Sequence, residues 1–168
     1  MCREEDSLDI RLQPLTGILE LNAALFRRAL EGVDQASGER RPNDHTNSLA
    51  FIACHALDAR FHMMKLAGHE RTNPWQTLFD AATDVTTMKE YPPLYEVLAE
   101  WDELHEATLA HLAEMSAAEL DAESSARFPT DDRSILGGIA FLAFHEAYHV
   151  GQMGLVRKYF GFDPVVRP

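Results

Sequence analysis

Apolar residues recur at intervals of three and four along four segments of the chain. These segments span residues 15–33, 48–67, 92–115 and about 134–160. Because an α-helix has about 3.6 residues per turn, such spacing places each apolar set on one side of a helix. No segment alternates convincingly between apolar and polar residues, so no β-strand is predicted. The pattern predicts an all-α fold, a four-helix bundle.

Helix-ending residues leave one long connection in this bundle. Gly68 and Gly161 are expected to follow the ends of the second and last helices. Residues 68–93 then form a long loop between the second and third helices, irregular but with room for one short helical turn. Connections of this length often cover a functional pocket. The candidate N-caps are Asp44, Thr46 and Asn47 for the second helix and Asp131, Asp132 and Ser134 for the last.

Length and composition indicate one domain spanning residues 1–168. The 15 Lys and Arg against 27 Asp and Glu give a net charge of −12. Such an acidic surface repels phosphate backbones and anionic lipid, so neither nucleic acid nor a membrane is expected as a partner. The longest apolar run, residues 135–144, is too short to cross a bilayer. The N-terminus lacks the basic-then-apolar order of a secretion signal, so we expect a cytoplasmic protein.

Histidine is the unusual residue type in this composition, with eight copies. The two cysteines, Cys2 and Cys54, do not make a disulfide framework and are expected to be free thiols. No thiolate metal site is therefore expected. Any metal site in this chain would depend on histidine.

Two of the histidines lie on the apolar stripe of the last helix. His145 and His149 lie there between Leu142 and Val156, and Gln152 follows on the same side. Residues four apart lie one above the other, at a separation that lets two imidazoles share one metal ion. A lone buried histidine is more often satisfied by hydrogen bonding. Two histidines and a glutamine in one stripe favour a ligand site, because so polar a cluster is costly unless something compensates it.

A third ligand is expected from another helix. His55 and His62 both lie on the apolar stripe of the second helix and are predicted to face inward, roughly 10 Å apart along its axis. Either can join the pair on the last helix, and the spacing alone does not decide between them. His105 in the third helix is a weaker candidate. The remaining histidines are expected to be solvated: His45, His69 and His111.

The segment His145-Glu146-x-x-His149 also matches a zinc-protease motif, in which Glu146 would act as the general base. That chemistry needs a third ligand downstream, and the only carboxylate after His149 is Asp163, beyond the end of the helix. Glu146 lies about 100° around the helix from His145, which places it on the flank of the stripe. Peptidase activity is therefore not expected.

The histidine pattern resembles that of the DinB-like (YfiT-like) family of metal-binding four-helix bundles. The resemblance rests on His-Ala-Leu-Asp at residues 55–58 and on His-x-x-x-His-x-Gly-Gln at residues 145–152, and it covers essentially the whole chain. It implies that His55 rather than His62 completes the ligand set. The implied metal ligands are His55, His145 and His149.

Such a set would leave an open coordination position, as in catalytic rather than structural metal sites. Imidazole suits several divalent ions, among which zinc and nickel are favoured here. Asp58 could accept a hydrogen bond from a ligand histidine, or instead pair with Arg60 or another surface cation. Gln152 could hydrogen-bond a water molecule or a substrate atom at the metal.

The resemblance also implies a metalloenzyme that acts on a small-molecule substrate. Some proteins similar to this one are S-transferases or isomerases that use bacillithiol, mycothiol or glutathione, so we expect metal-dependent S-transfer with a low-molecular-weight thiol cosubstrate. An anionic thiol would need local cations, for which Arg60, Lys65 and Arg157 are candidates. The alternatives are metal-dependent hydrolysis and a non-catalytic metal-binding bundle. A homodimer formed by helix packing is expected from the resemblance and from the surplus of apolar residues.

Overall fold

The structure, a computed structural model, describes residues 8–80, 88 and 90–166. Within these residues the chain forms four long α-helices, three short ones and no strand beyond an isolated bridge. The four long helices, α1, α3, α5 and α7, confirm the predicted all-α four-helix bundle. In chain order the helices are α1 (Gln13–Leu30), α2 (Gln35–Glu39), α3 (Leu49–Leu66), α4 (Gln76–Asp80), α5 (Leu94–Glu114), α6 (Ala117–Asp121) and α7 (Ile135–Tyr159).

Serine side chains decide where α3 and α7 begin. The Ser48 hydroxyl accepts a hydrogen bond from the Phe51 N–H at 3.1 Å, and the Ser134 hydroxyl accepts one from the Gly137 N–H at 3.0 Å. Each bond satisfies a backbone donor that has no partner within the first turn. Ser134 is one of the predicted caps of α7. The caps predicted for α3 are wrong, because Ser48 directly precedes the helix: Asp44, Thr46 and Asn47.

The connection between α3 and α5 contains the short helix α4, in agreement with the predicted loop and its one helical turn. Residues 81–87 and 89 of that loop lie outside the described residues. Gly68 and Gly161 follow α3 and α7 with φ angles of 87° and 84°, a region that favours glycine. The short helices α2 and α6 were not expected, because five residues are too few for an apolar period to show.

Each of α1 and α3 packs against both α5 and α7, and the contact between α3 and α7 is the most extensive. Trp101 of α5 is fully buried and stacks on Phe26 of α1, with ring centroids 4.0 Å apart. The Asn22 side chain of α1 donates a hydrogen bond to the Ala143 carbonyl of α7 at 3.0 Å. Helices α1 and α5 therefore both support the long contact between α3 and α7.

Helix α7 is apolar on almost every side. Leu142 and Met153 are buried, whereas Phe144 and Leu155 are 65% and 70% exposed. When a helix is apolar all round, its sequence period does not single out one core-facing stripe. Even so, no helix in the described ranges is long and apolar enough to span a membrane.

Candidate metal centre

Three histidine side chains converge where α3 and α7 meet. His55 Nε2 lies 3.3 Å from His145 Nε2, which in turn lies 3.1 Å from His149 Nε2. One ring nitrogen of each histidine falls within 4.8 Å of the other two. Nitrogens about 3.3 Å apart fit the corners of a tetrahedron around an ion at the usual zinc–nitrogen distance of about 2.0–2.1 Å. The cluster thus has the donor type and spacing of a metal site.

The helices bring these rings together by simple geometry. His145 and His149 are four residues apart on α7, so their side chains lie on the same side of the helix. Their ring centroids are 4.4 Å apart, and the His55 ring reaches across from α3 to within 5.1 and 4.6 Å of them. Any change in the relative position of α3 and α7 would move His55 away from the other two.

Gln152 fixes the tautomer of His149. The Gln152 Oε1 atom lies 2.8 Å from His149 Nδ1, and because an amide oxygen can only accept, Nδ1 carries the proton. The lone pair of His149 Nε2 then faces the other two histidines, as metal binding requires. The other end of the amide donates to the Tyr148 hydroxyl at 3.0 Å. Gln152 thus makes a hydrogen bond at each end of its amide.

The environment keeps these imidazoles neutral. Burial is the main cause that lowers the pKa of His145 from 6.5 to about 4, and the neighbouring rings of His149 and His55 lower it further. Burial also lowers the pKa of His55 and of His149. A metal ion binds only the neutral form of imidazole, so the cluster is prepared for a cation at neutral pH.

The cluster opens to solvent rather than lying inside the bundle. His55 is exposed, and His145 and His149 are half-buried. The prediction that both His55 and His62 face inward is wrong for each of them, because this side of α3 reaches the surface. Aromatic rings border the three histidines, with centroid distances of 5.1–6.3 Å: Phe51, Phe141 and Tyr148.

Two residues considered as site residues lie apart from the three histidines. The Asp58 carboxylate accepts a hydrogen bond from the Asn73 side chain at 3.0 Å, and burial raises its pKa. In the described part of the chain, Asp58 therefore pairs with neither Arg60 nor a histidine of the cluster. The exposed ring of His62 faces Phe128, with centroids 6.2 Å apart, and lies outside the cluster.

A buried polar network below the cluster was not expected from the sequence. Arg60 of α3 and Glu146 of α7 are both wholly buried and form a two-pronged ion pair, with Arg60 Nη2 2.7 Å from Glu146 Oε2. Arg60 also donates to His105 Nδ1 at 3.1 Å and lies over the Trp101 ring. The placement of Glu146 on the flank of the stripe is therefore wrong, because its side chain points into the core. The available signal was that Glu146 is the one acidic residue in the long apolar helix α7.

This network removes Glu146 and His105 from the candidate chemistry. A carboxylate that is buried and held by a guanidinium has no access to a substrate, so Glu146 is not available as the base of a protease. His105 is buried and has a pKa lowered to about 4, mainly by burial and then by the charge of Arg60. Both residues serve the packing of α3, α5 and α7 instead.

The single cysteine in the described residues lies beside the cluster, but its thiol has low reactivity. Cys54 directly precedes His55, and its side chain points into the core. Burial raises the pKa of its thiol to about 12. The thiol therefore stays protonated and provides no metal ligand, in agreement with the expected free cysteine.

A family model, that of the DinB superfamily, matches residues 18–153, a range that contains all three histidines. The chain belongs to the DinB superfamily. The family resemblance read from the sequence is thus confirmed. Among curated proteins, none matches this chain.

Two solved structures share the fold of this DinB superfamily chain. A conserved protein from Enterococcus faecalis superimposes with a TM-score of 0.71 at 12% identity, over 88% of this chain and 95% of that one. YfiT from Bacillus subtilis, described as a probable metal-dependent hydrolase with an unusual four-helix bundle topology, gives a TM-score of 0.66 at 14% identity. That match covers 97% of this chain and 94% of YfiT. At these identities the likeness establishes the fold alone.

Replacing Glu146 by leucine should lower the free energy of unfolding by about 3–5 kcal/mol, because Arg60 would remain buried without its carboxylate. Urea denaturation measures this change. The double variant Arg60→Met/Glu146→Leu removes both charges and should be more stable than Glu146→Leu alone. The control is Glu106→Leu, on the exposed side of α5, which should stay within about 0.5 kcal/mol of the parent. Strictly additive effects of the two core substitutions would contradict the coupling.

The metal-free protein should lose stability as the pH falls from about 6.5 to about 4. Because the folded-state pKa of His145 is lowered from 6.5 to about 4, the unfolded chain binds a proton in this range that the folded chain does not. Its contribution is therefore complete above pH 6.5 and declines below it. Urea midpoints in the presence of a chelator should show a shallower decline for His145→Gln. An identical decline in parent and variant would contradict the lowered pKa.

Proposed function

We propose that this chain is a metal-dependent enzyme in which His55, His145 and His149 hold one divalent metal ion. The convergence of their Nε2 atoms at 3.1 and 3.3 Å carries the proposal. Gln152 supports it, because its hydrogen bond to His149 Nδ1 leaves the Nε2 lone pair available. Among the described residues no carboxylate or thiolate joins the cluster.

The donor set favours zinc or nickel, as the sequence also suggests. Imidazole nitrogens are intermediate ligands that suit both ions, whereas calcium and magnesium prefer oxygen. With three protein ligands, a bound ion would keep a position open to solvent, where it would act as a Lewis acid and lower the pKa of a water molecule or thiol. The exposed side of His55 leaves room for a substrate to approach.

Hydrolysis of a small uncharged substrate is the reaction that the surroundings support best. A water nucleophile needs no cation to bind it, and two of the three cations proposed for an anionic thiol are committed elsewhere. Arg60 is buried with Glu146. Arg157 is buried and donates to the carbonyls of Ala29 and Glu31. The aromatic rings that border the histidines would accept an apolar substituent, and the description of YfiT as a probable metal-dependent hydrolase points the same way.

Thiol-dependent S-transfer is the second candidate, and one feature of the surface favours it. A depression of about 590 Å³ begins at Asp58, one turn along α3 from His55. Lys65 and Arg71 line it, paired with acidic neighbours on the surface. The exposed pair of Lys65 contributes little stability and can rearrange at small cost, so Lys65 could receive a carboxylate of a thiol cosubstrate. Arg71 is half-buried between two glutamates and would first have to leave them.

One metal ion should bind per chain. His145→Ala and His149→Ala should abolish binding, and His55→Ala should do the same, because two imidazoles alone cannot complete the site. His62→Ala is the matched control on α3 and should bind like the parent. Metal content after dialysis and competitive titration with a chromophoric chelator measure the effect. Binding that survives His55→Ala but is lost in His62→Ala would contradict the ligand set. Gln152→Ala should keep the stoichiometry and weaken affinity by about 10–100-fold.

The metal-loaded protein should hydrolyse a small uncharged ester or amide, and activity should disappear in His149→Ala. The same preparation is assayed for transfer of bacillithiol, mycothiol or glutathione to a monohalobimane acceptor. Metal-dependent rates with a thiol and none with water would replace hydrolysis by S-transfer. If neither rate exceeds that of the metal-free protein, the enzyme proposal fails, and metal titration still reports separately on the site.

A further inference from the structure

A row of aromatic rings leads away from the histidine cluster along the boundary between α3 and α7. The rings follow one another in the order His145, Phe141, Phe128 and His62, and we call them the aromatic row. Neighbouring ring centroids in this order are 6.2, 5.0 and 6.2 Å apart, within the range in which aromatic rings interact. The first ring belongs to a proposed metal ligand, so the row is continuous with the metal centre.

The direction of the row follows from the antiparallel packing of α3 and α7. His55 of α3 faces His145 of α7. Further along α3, the Leu66 side chain reaches Gly138, which lies nearer the beginning of α7. The row therefore extends from the metal centre toward the end of α3 and the beginning of α7, where Phe128 joins it from the segment between α6 and α7.

Gly138 sets the depth of the Phe128 ring. A Cβ atom built on Gly138 would lie 2.8 Å from Phe128 Cε2 and 2.6 Å from Leu66 Cδ2, so a side chain at this position would displace both. The glycine lets the Phe128 ring rest against the backbone of α7, where the residue is half-buried. Phe141 is half-buried as well, and His62 is exposed. Every ring beyond the metal ligand thus keeps part of its surface open to solvent.

The far end of the row opens into a depression of about 270 Å³. His62 lines this depression together with the apolar side chains of Leu66 and Ile135. The charged residues in its lining, Lys65 and Glu123, are each held in an ion pair on the surface. An uncharged group that enters the depression from the row therefore meets apolar surface and no unpaired charge among these residues.

The chemistry of the row favours a flat, uncharged occupant. Partly open aromatic rings gain from stacking and from apolar burial, whereas a charged group there would lose water without gaining a partner. Phe128 and Phe141 also pack against the core. Packing alone does not require a line of rings to begin at a metal ligand and to end at an open depression.

Phe144 marks a side branch of the row. Its ring centroid lies 6.5 Å from that of Phe141, but the residue is 65% exposed. Within the described ranges the Phe144 ring leads to no further ring, whereas Phe128 leads on to His62. The two neighbours of Phe141 therefore give opposite expectations, which makes Phe144 a matched control for Phe128.

We propose that the aromatic row binds an aryl group of the substrate while the reacting bond lies at the open position of the metal ion. The first aryl ring packs on Phe141, and a second ring packs on Phe128 and His62. The inference rests on the proposed metal centre. It narrows the substrate class from any small uncharged ester or amide to one with an aryl acyl group.

Hydroxamates test the row without any turnover, because their two oxygen atoms bind a metal ion and their substituent extends away from it. Acetohydroxamate, benzohydroxamate and 4-phenylbenzohydroxamate carry no ring, one ring and two rings. Isothermal titration calorimetry gives their dissociation constants for the zinc-loaded protein. Each ring should tighten binding by about tenfold or more, through apolar burial and stacking. Equal affinities of the three compounds would overturn the row and leave the metal centre intact.

Matched leucine variants locate the aryl group. Phe128→Leu keeps most of the apolar volume over Gly138 and should remove the gain from the second ring, with acetohydroxamate bound as by the parent. Phe144→Leu makes the same change on the other side of Phe141 and should alter none of the three affinities. His62→Ala changes an exposed residue and should weaken 4-phenylbenzohydroxamate alone, by about threefold. Loss of the second-ring gain in Phe144→Leu rather than in Phe128→Leu would overturn the proposal.

The zinc content of the same samples separates this inference from the proposed function. Protein that holds no zinc contradicts the metal centre, and the inference fails with it. Zinc-loaded protein that binds none of the hydroxamates leaves the metal site in place and overturns the inference, because no open position then lies beside the row. A stepwise gain with each ring supports the row whether or not an ester is hydrolysed.

Discussion

The buried ion pair between Arg60 and Glu146 constrains the rest of this molecule. Two charges in an apolar interior are tolerated only when each is fully paired, so the helices that carry them cannot slide independently. The guanidinium is held on three sides, by the carboxylate, by the His105 ring and by the Trp101 face. Helices α3, α5 and α7 therefore share one fixed point near the middle of the bundle.

The geometry of the histidine cluster depends on this ion pair. Glu146 lies between His145 and His149 on α7, and Arg60 is five residues from His55 on α3. A pair that fixes the register of the two helices also fixes how closely His55 approaches the other two rings. The buried charges are those of Arg60 and Glu146 in the core, where burial is costly. The histidines remain at the surface, where a ligand can reach them. A reactive metal site requires both a rigid core that positions its ligands and access for a substrate from solvent.

The sequence was sufficient for the bundle, and the family resemblance selected the three histidines that converge, but neither gave the orientation of α7. Apolar spacing located all four long helices, because each extends over several turns. It could not locate the core side of α7, since Phe144 and Leu155 on the outside are as apolar as Leu142 and Met153 on the inside. For that reason Glu146 was placed on a flank. Its burial follows from a partner 86 residues away, and no local pattern records such a pairing.

The protonated state of Cys54 has a consequence for the redox behaviour of the protein. With a thiol pKa of about 12 and a side chain enclosed by the core, the sulfur beside His55 reacts slowly with oxidants, electrophiles and soft metal ions. Among the described residues, the three imidazoles therefore have no reactive thiol beside them that could be oxidised or could capture the ion. The same cluster should work unchanged in reducing and in mildly oxidising surroundings, and a labelled thiol product would report on an added thiol rather than on this one.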